Sequence, residues 1–179
     1  MSTLTPTNTD ILRQAFDALR TRDLDGCLAL MTEDFIINIA GMPHQRRGAK
    51  AWKENVAVIL TAFPDLDFRI EDVIAQGDRV AVRMTFTGTH TGEFMGASPT
   101  GRQIEYDSYE IYRFENGRIA EEWINSDILS LLQQVGALSG TRLAAMYLAG
   151  HRTKLALALG VLLGALVRHG LGQTPVPSA

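Results

Sequence analysis

The chain has 179 residues, 46% of them hydrophobic, and a formal net charge of −3; this suits one domain of ordinary size and argues against a nucleic-acid binder. Residues 1–135 carry 13 Lys+Arg against 20 Asp+Glu, a net of −7, whereas residues 136–179 carry Arg142, Arg152, Lys154 and Arg168 and no acid, which marks the C-terminal stretch as a separate segment. A single cysteine, Cys27, excludes an internal disulfide. The polar N-terminus "MSTLTPTNTD" lacks the apolar run of a signal peptide, so the expected location is cytoplasmic.

In chain order, "DILRQAFDALRTR" (10–22) spaces Ile11, Leu12, Ala15, Phe16 and Leu19 as one face of a helix that Thr9 or Asp10 can cap. A short helix follows at about Asp25–Met31, holding Cys27 among leucines as an inert thiol. "DFIINIA" (34–40) reads as a buried strand. "GMPHQRRG" turns the chain into a helix at about 49–63, with Trp52 on its apolar side and Pro64 ending it. Four strands come next: 66–76, 79–90, 103–114 and 118–126. Gly77-Asp78 joins the first two. Asn116-Gly117 joins the last two, and is the strongest short-range hairpin signal in the chain. A helix at about 127–135, capped by Asp127, closes the body. Helices followed by a run of hairpin strands predict an α+β fold, with a strongly bent antiparallel sheet wrapped around the N-terminal helices and a cavity open at one end.

The loop "GTHTGEFMGASPTGR" (88–102) places two large apolar residues, Phe94 and Met95, among glycines and hydroxyls. A plain strand connection does not need them, and a lid over a cavity does.

"FPDLDFRIEDVIAQGDRVAVRMTFTGTHTGEFMGASPTGR", "YRFENGRIAEEW" and "LLQQVGAL" together resemble the SnoaL-like polyketide cyclases, members of the cone-shaped superfamily that includes ketosteroid isomerase and scytalone dehydratase. The resemblance spans about residues 10–138. It implies a curved sheet around an apolar pocket, usually in a homodimer, and acid/base ring closure without metal or organic cofactor. The best-known cyclases carry a catalytic aspartate directly after the position of Trp123; here that position is Ile124, which cannot exchange a proton.

With Ile124 facing inward, strand alternation places Glu122, Ala120 and Ser126 on the same face. On the preceding strand Ile104, Tyr106, Ser108, Glu110 and Tyr112 match it, and on the strand before the lid Val82, Met84 and Phe86. Carboxyls in an apolar cup titrate nearer neutrality, and two of them divide into an acid and a base. The candidate catalytic residues are therefore Glu110 and Glu122, assisted by Tyr106 and Tyr112 as hydrogen-bond donors. The alternative for the glutamates is a solvated rim, or pairing with Arg83 or Arg113. The candidate substrate-binding residues are Asn38, Trp52, Met84, Phe86, His90, Phe94, Met95, Ser108 and Ile124. Glu121 and Trp123 fall on the outer face, suited to a dimer contact. His44, His90, His151 and His169 show no metal-ligand spacing, and no phosphate-binding glycine motif is present. Arg46, Arg47, Lys50 and Lys53 form a solvated helix start, or an attraction for an acidic carrier protein.

Residues 139–170 read as an apolar helical extension of the 1–138 domain, with helices at about 141–148 and 152–168; residues 171–179 read as a disordered tail. The run Leu155–Val167 is too short to cross a bilayer, and Gly160 and Gly164 permit close helix contact. Packing within a dimer accounts for apolarity all round the helix better than a membrane-surface contact by residues 152–168 or a partner enzyme. The expected protein is an acid/base enzyme of secondary metabolism, a cyclase, isomerase or dehydratase, acting on a hydrophobic oxygenated intermediate. The alternatives are water addition to an epoxide and a binding module without chemistry.

Overall fold

The computed structural model describes residues 6–141; the helices, the Gly160–Gly164 pair and the tail expected beyond them lie outside the described residues. Helix α1 (Asn8–Arg20) starts at Thr7, whose hydroxyl accepts the Asp10 amide while the Asp10 carboxylate accepts the Thr7 amide, a reciprocal cap worth about 1 kcal/mol. Its buried stripe is Ile11, Leu12, Ala15 and Phe16. Helix α2 (Leu24–Ala29), capped by Asp23, buries Cys27. Strand β1 (Met31–Ile39), the two-residue β2 (Arg46–Arg47) and helix α3 (Gly48–Ala62) follow. Strands β3 (Asp67–Gln76), β4 (Arg79–Thr89), β5 (Gln103–Glu115) and β6 (Arg118–Ser126) then lead to helix α4 (Ile128–Gln134). Asp127 caps α4 by accepting the Ser130 amide at 3.0 Å. Among the described residues no helix is long and apolar enough to cross a membrane.

The six strands form one curved sheet in the order β2-β1-β6-β5-β4-β3. It is mixed rather than wholly antiparallel. β3 through β6 form an antiparallel meander, but β1 lies parallel to β6, pairing Asn38 with Trp123 and Ile39 with Ile124. Strand β2 occupies part of the stretch expected to be a turn, and pairs Ile36 with Arg47.

Two bulges set which side chains face the helices. On β5 and β6 the register runs Glu115 with Arg118 and Phe114 with Ile119, then jumps to Arg113 with Glu121, leaving Ala120 as the extra residue. Strict alternation from the buried Ile119 would send Glu122 outward. The bulge turns the strand by one residue, so Ile119 and Glu122 are both buried on the inner side. A second bulge at Glu71 does the same on β3, keeping Phe68 and Val73 on the core side.

The lid loop is anchored at both ends. The His90 amide donates to the Arg102 carbonyl at 2.8 Å, and the His90 carbonyl accepts the amides of Thr100 and Gly101. The amides of Thr91 and Gly92 both donate to the Ala62 carbonyl at 3.0 Å, at the end of α3. A Cβ on Gly92 would lie 2.1 Å from the Thr61 carbonyl oxygen, so no other residue fits there unless the backbone shifts. Gly92→Ala is expected to cost about 1–3 kcal/mol, read by denaturant unfolding, and to speed hydrogen exchange at the Thr91 and Gly92 amides.

Candidate active site

Between the inner sheet face and the helices lies a cavity of about 360 Å³, within the usual range for small-molecule sites. Five aromatic rings line it in a continuous arc. Tyr112 meets Phe16 edge-on at 5.8 Å, Phe16 meets Phe68 at 5.5 Å, Phe68 meets Phe86 at 5.6 Å, and Phe86 stacks on Tyr106 at 5.3 Å with 13° between planes. Trp52, Val56, Ile59, Leu60 and Ile124 add aliphatic and aromatic wall.

Glu110 and Glu122 both line this cavity, 6% and 4% exposed. The alternative pairing with arginine does not occur, because Arg83 binds Asp72 at 2.8 Å and Arg113 binds Glu115 and Glu121. The two carboxyls differ in their partners. Glu110 accepts the Ser108 hydroxyl on Oε1 at 2.8 Å and the Tyr112 hydroxyl on Oε2. The Glu122 carboxyl has no hydrogen-bond partner among the described residues.

Burial raises the Glu110 carboxyl above the ordinary value, and the two hydroxyl donors pull it back. Burial and the neighbouring Glu110 charge raise Glu122 well above it, with nothing to oppose them. Of the two, Glu122 therefore holds its proton more tightly than Glu110. Tyr106 is raised by burial and then by Glu110, and so stays a neutral donor. Its hydroxyl has no protein partner, whereas that of Tyr112 is committed to Glu110.

The structure brings Glu110, Glu122, Tyr106, Tyr112, Trp52, Phe86, Phe94, Met95 and Ile124 to one cavity. Four other sequence candidates lie elsewhere. Asn38 belongs to the outer side, because parallel pairing puts it beside the outward Trp123. Its amide nitrogen donates to Glu121 Oε1 and the Glu122 carbonyl, and its oxygen accepts Gln45. His90 is fully buried at the lid root, its ring 5.5 Å from Phe63 and its Nδ1 3.0 Å from the Thr100 hydroxyl. Met84 is fully buried in the core, and Ser108 sits behind Glu110.

Phe94 and Met95 do different work. Phe94 is 3% exposed and packs edge-on against Phe63 at 5.3 Å. Met95 and Gly96 both have positive φ, 49° and 82°, in a two-residue turn closed by the Ala97 amide on the Phe94 carbonyl. Methionine is unusual there, since an asparagine or glycine would adopt that backbone at less cost. Met95, Met42 and Val58 are each more than half exposed, yet all three line the cavity, so they rim its mouth. Ser126, Met42 and Val58 were not among the sequence candidates for binding. Ser126 alone was legible, from its shared face with Ile124.

A larger open hollow of about 660 Å³ lies on the outer sheet face, between Ile74, Ala81, Tyr109, Ile111 and Trp123. Both glutamates line the smaller inner cavity, and Glu110 also borders the outer hollow.

A curved sheet closed by helices over an apolar-walled pocket with two buried carboxyls defines an NTF2-like α+β fold. The model of the SnoaL-like polyketide cyclases matches residues 9–135, and the chain belongs to that family. The aklanonic acid methyl ester cyclase AcmA of Streptomyces galilaeus is 29% identical over 92 residues, a match spanning 50% of this chain and 63% of that enzyme. Among solved structures, the polyketide cyclase candidate IdmH of Streptomyces antibioticus is 31% identical, with a TM-score of 0.66 over 73% of this chain and 99% of its own. The hydroxylase candidate AclR of Streptomyces galilaeus is 30% identical, with a TM-score of 0.67 over 73% and 96%.

A carboxyl whose folded value lies above its unfolded value of about 4.5 holds more protons in the folded state at any pH between the two. Stability therefore falls as pH rises through that window. Glu122→Gln removes the effect, so the variant is expected to be more stable than the parent at pH 7.5. The gain should vanish near pH 4, as measured by urea unfolding across pH.

Proposed function

We propose that this protein closes a ring in a flat, oxygenated, polyketide-derived intermediate by an intramolecular aldol step. The observation that carries the reading is one apolar-walled cavity holding two carboxyls with different partners. Glu110, ionised and held by Ser108 and Tyr112, is the base that generates the enolate. The enolate carbon forms the new bond to a ketone carbon of the same molecule. The ketone oxygen takes the proton that Glu122 has kept, and Tyr106 donates a hydrogen bond to that oxygen as its charge grows. The aromatic arc supports a planar substrate, and the Met42–Val58–Met95 rim supports an apolar one with flexible outer substituents.

Aklanonic acid methyl ester, named for the AcmA relative, is the first compound to try. Glu110→Gln and Glu122→Gln are each expected to lower turnover about 10²–10⁴-fold while leaving binding within a few-fold. Binding without turnover in the parent protein would favour a pure binding module, and a diol product from an epoxide substrate would favour water addition.

The family resemblance also supports a second copy as the cover of the outer sheet face. Ile74 and Ile111 stand 70% and 41% exposed there. The ion pairs Arg83–Asp72 and Arg113–Glu121 give the same face charges of both signs, as a two-fold contact with itself requires. Ile111→Glu should shift sedimentation from dimer to monomer without loss of fold.

A further inference from the structure

Both oxygens of Glu110 already accept a hydroxyl from the protein. Directly across the strands it faces Ile124, an inert side chain. A path from the substrate to this carboxylate exists nonetheless. The Ser108 hydroxyl has one proton and donates it to Glu110 at 2.8 Å. The same Ser108 oxygen lies 2.9 Å from the Ser126 oxygen. With Ser108's proton committed, Ser126 must be the donor in that contact. The chain of donation is therefore directed: Ser126 to Ser108 to Glu110. Ser108 is fully buried, whereas Ser126 is only partly buried and lines the cavity. Having given its proton away from the cavity, Ser126 presents only lone pairs to whatever enters.

We propose that Ser126 is a catalytic residue that binds a substrate enol or phenol hydroxyl and passes its proton through Ser108 to Glu110. This rests on the acid/base reading above and deepens it by specifying an enolised 1,3-dicarbonyl or phenolic donor. The substrate O–H bond breaks and its proton joins Ser126. The Ser126 proton moves to Ser108, and the Ser108 proton to Glu110 Oε1. The products are a substrate enolate and a neutral Glu110, the same enolate that removal of a carbon-bound proton would give. Ser108 is a positioning residue, because it touches Glu110 and Ser126 but not the cavity. Ser126 also explains how the pocket functions with isoleucine at position 124, since it lies two residues further along the same inner face.

The test uses the full chain and two probes, 2-hydroxyanthraquinone and 2-methoxyanthraquinone, with affinities read by fluorescence titration. A site offering only lone pairs should favour the hydroxyl compound. Ser126→Ala should lower the hydroxy-to-methoxy affinity ratio about fivefold, by weakening the hydroxyl compound alone, and Ser126→Thr should restore it. Ser108→Ala frees the Ser126 proton to turn toward the cavity. The ratio should then fall for the opposite reason, because the methoxy compound binds better. A purely structural role would weaken both compounds alike in every variant. Failure of the parent protein to bind the hydroxy compound, or an unchanged ratio in Ser126→Ala, overturns the proposal. These outcomes are read without turnover, so they are distinguishable from failure of the two-glutamate reading, which is decided by the activity of Glu110→Gln and Glu122→Gln.

Discussion

Two buried carboxyl groups in one apolar-walled cavity are the constraint around which the rest of this fold is arranged. Each would rather be in water, and neither is paired with a cation. They remain because the sheet leaves them no exit. The bulge at Ala120 turns Glu122 inward on β6, and unbroken alternation on β5 points Glu110 the same way as Tyr106, Ser108 and Tyr112. A bulge disrupts the ladder and leaves a residue unpaired. Here it produces a second ionisable group beside the first, and so a pair whose proton affinities separate.

Burial is common to the two groups; the separation comes from the hydroxyl donors on Glu110 and from the Glu110 charge acting on Glu122. Ser108 and Tyr112 stabilise negative charge on Glu110, while Glu122 faces the cavity without a donor. Tyr112 is itself locked between Glu110 and the edge of Phe16, so the aromatic arc that shapes the cavity also fixes the orientation of the base. The lid completes the apolar wall from the other side. Phe94 is seated on Phe63, and the loop backbone is tied to the last carbonyls of α3. Opening the lid would admit water and draw the two carboxyls back toward ordinary values.

Much of this was legible in the sequence because its signals are local. Helical spacing in α1, the Asn116-Gly117 hairpin and the β5 alternation each depend on a few adjacent residues, and each matches the structure closely. The parallel pairing of β1 with β6 was not legible, because it joins segments more than 80 residues apart and leaves no period in either. That pairing is what carried Asn38 to the outer side. The bulge at Ala120 has no sequence signal either: alternation from Ile119 alone gives the wrong face for Glu122, and only the resemblance, by placing Ile124 inward, gave the right one. His90 illustrates a third limit. A histidine at a loop root reads equally well as ligand contact or as structural clasp, and only its ring position on Phe63 and its bond to Thr100 separate the two.

Ile124 leaves the expected acid position apolar, and the proposed mechanism puts the base on the neighbouring strand instead. In this register Ile124 lies directly opposite Glu110, and Ser126 directly opposite Ser108. A carboxylate at 124 would place a second negative charge against Glu110 in a low-dielectric pocket, raising the proton affinity of both. Isoleucine removes that repulsion and keeps the wall apolar. Glu110 can then ionise on the strength of two hydroxyl donors. An acid at 124 and an ionised, hydroxyl-held Glu110 are thus competing solutions to one electrostatic problem. On the proposed mechanism the base sits one strand away from position 124, directly across from it.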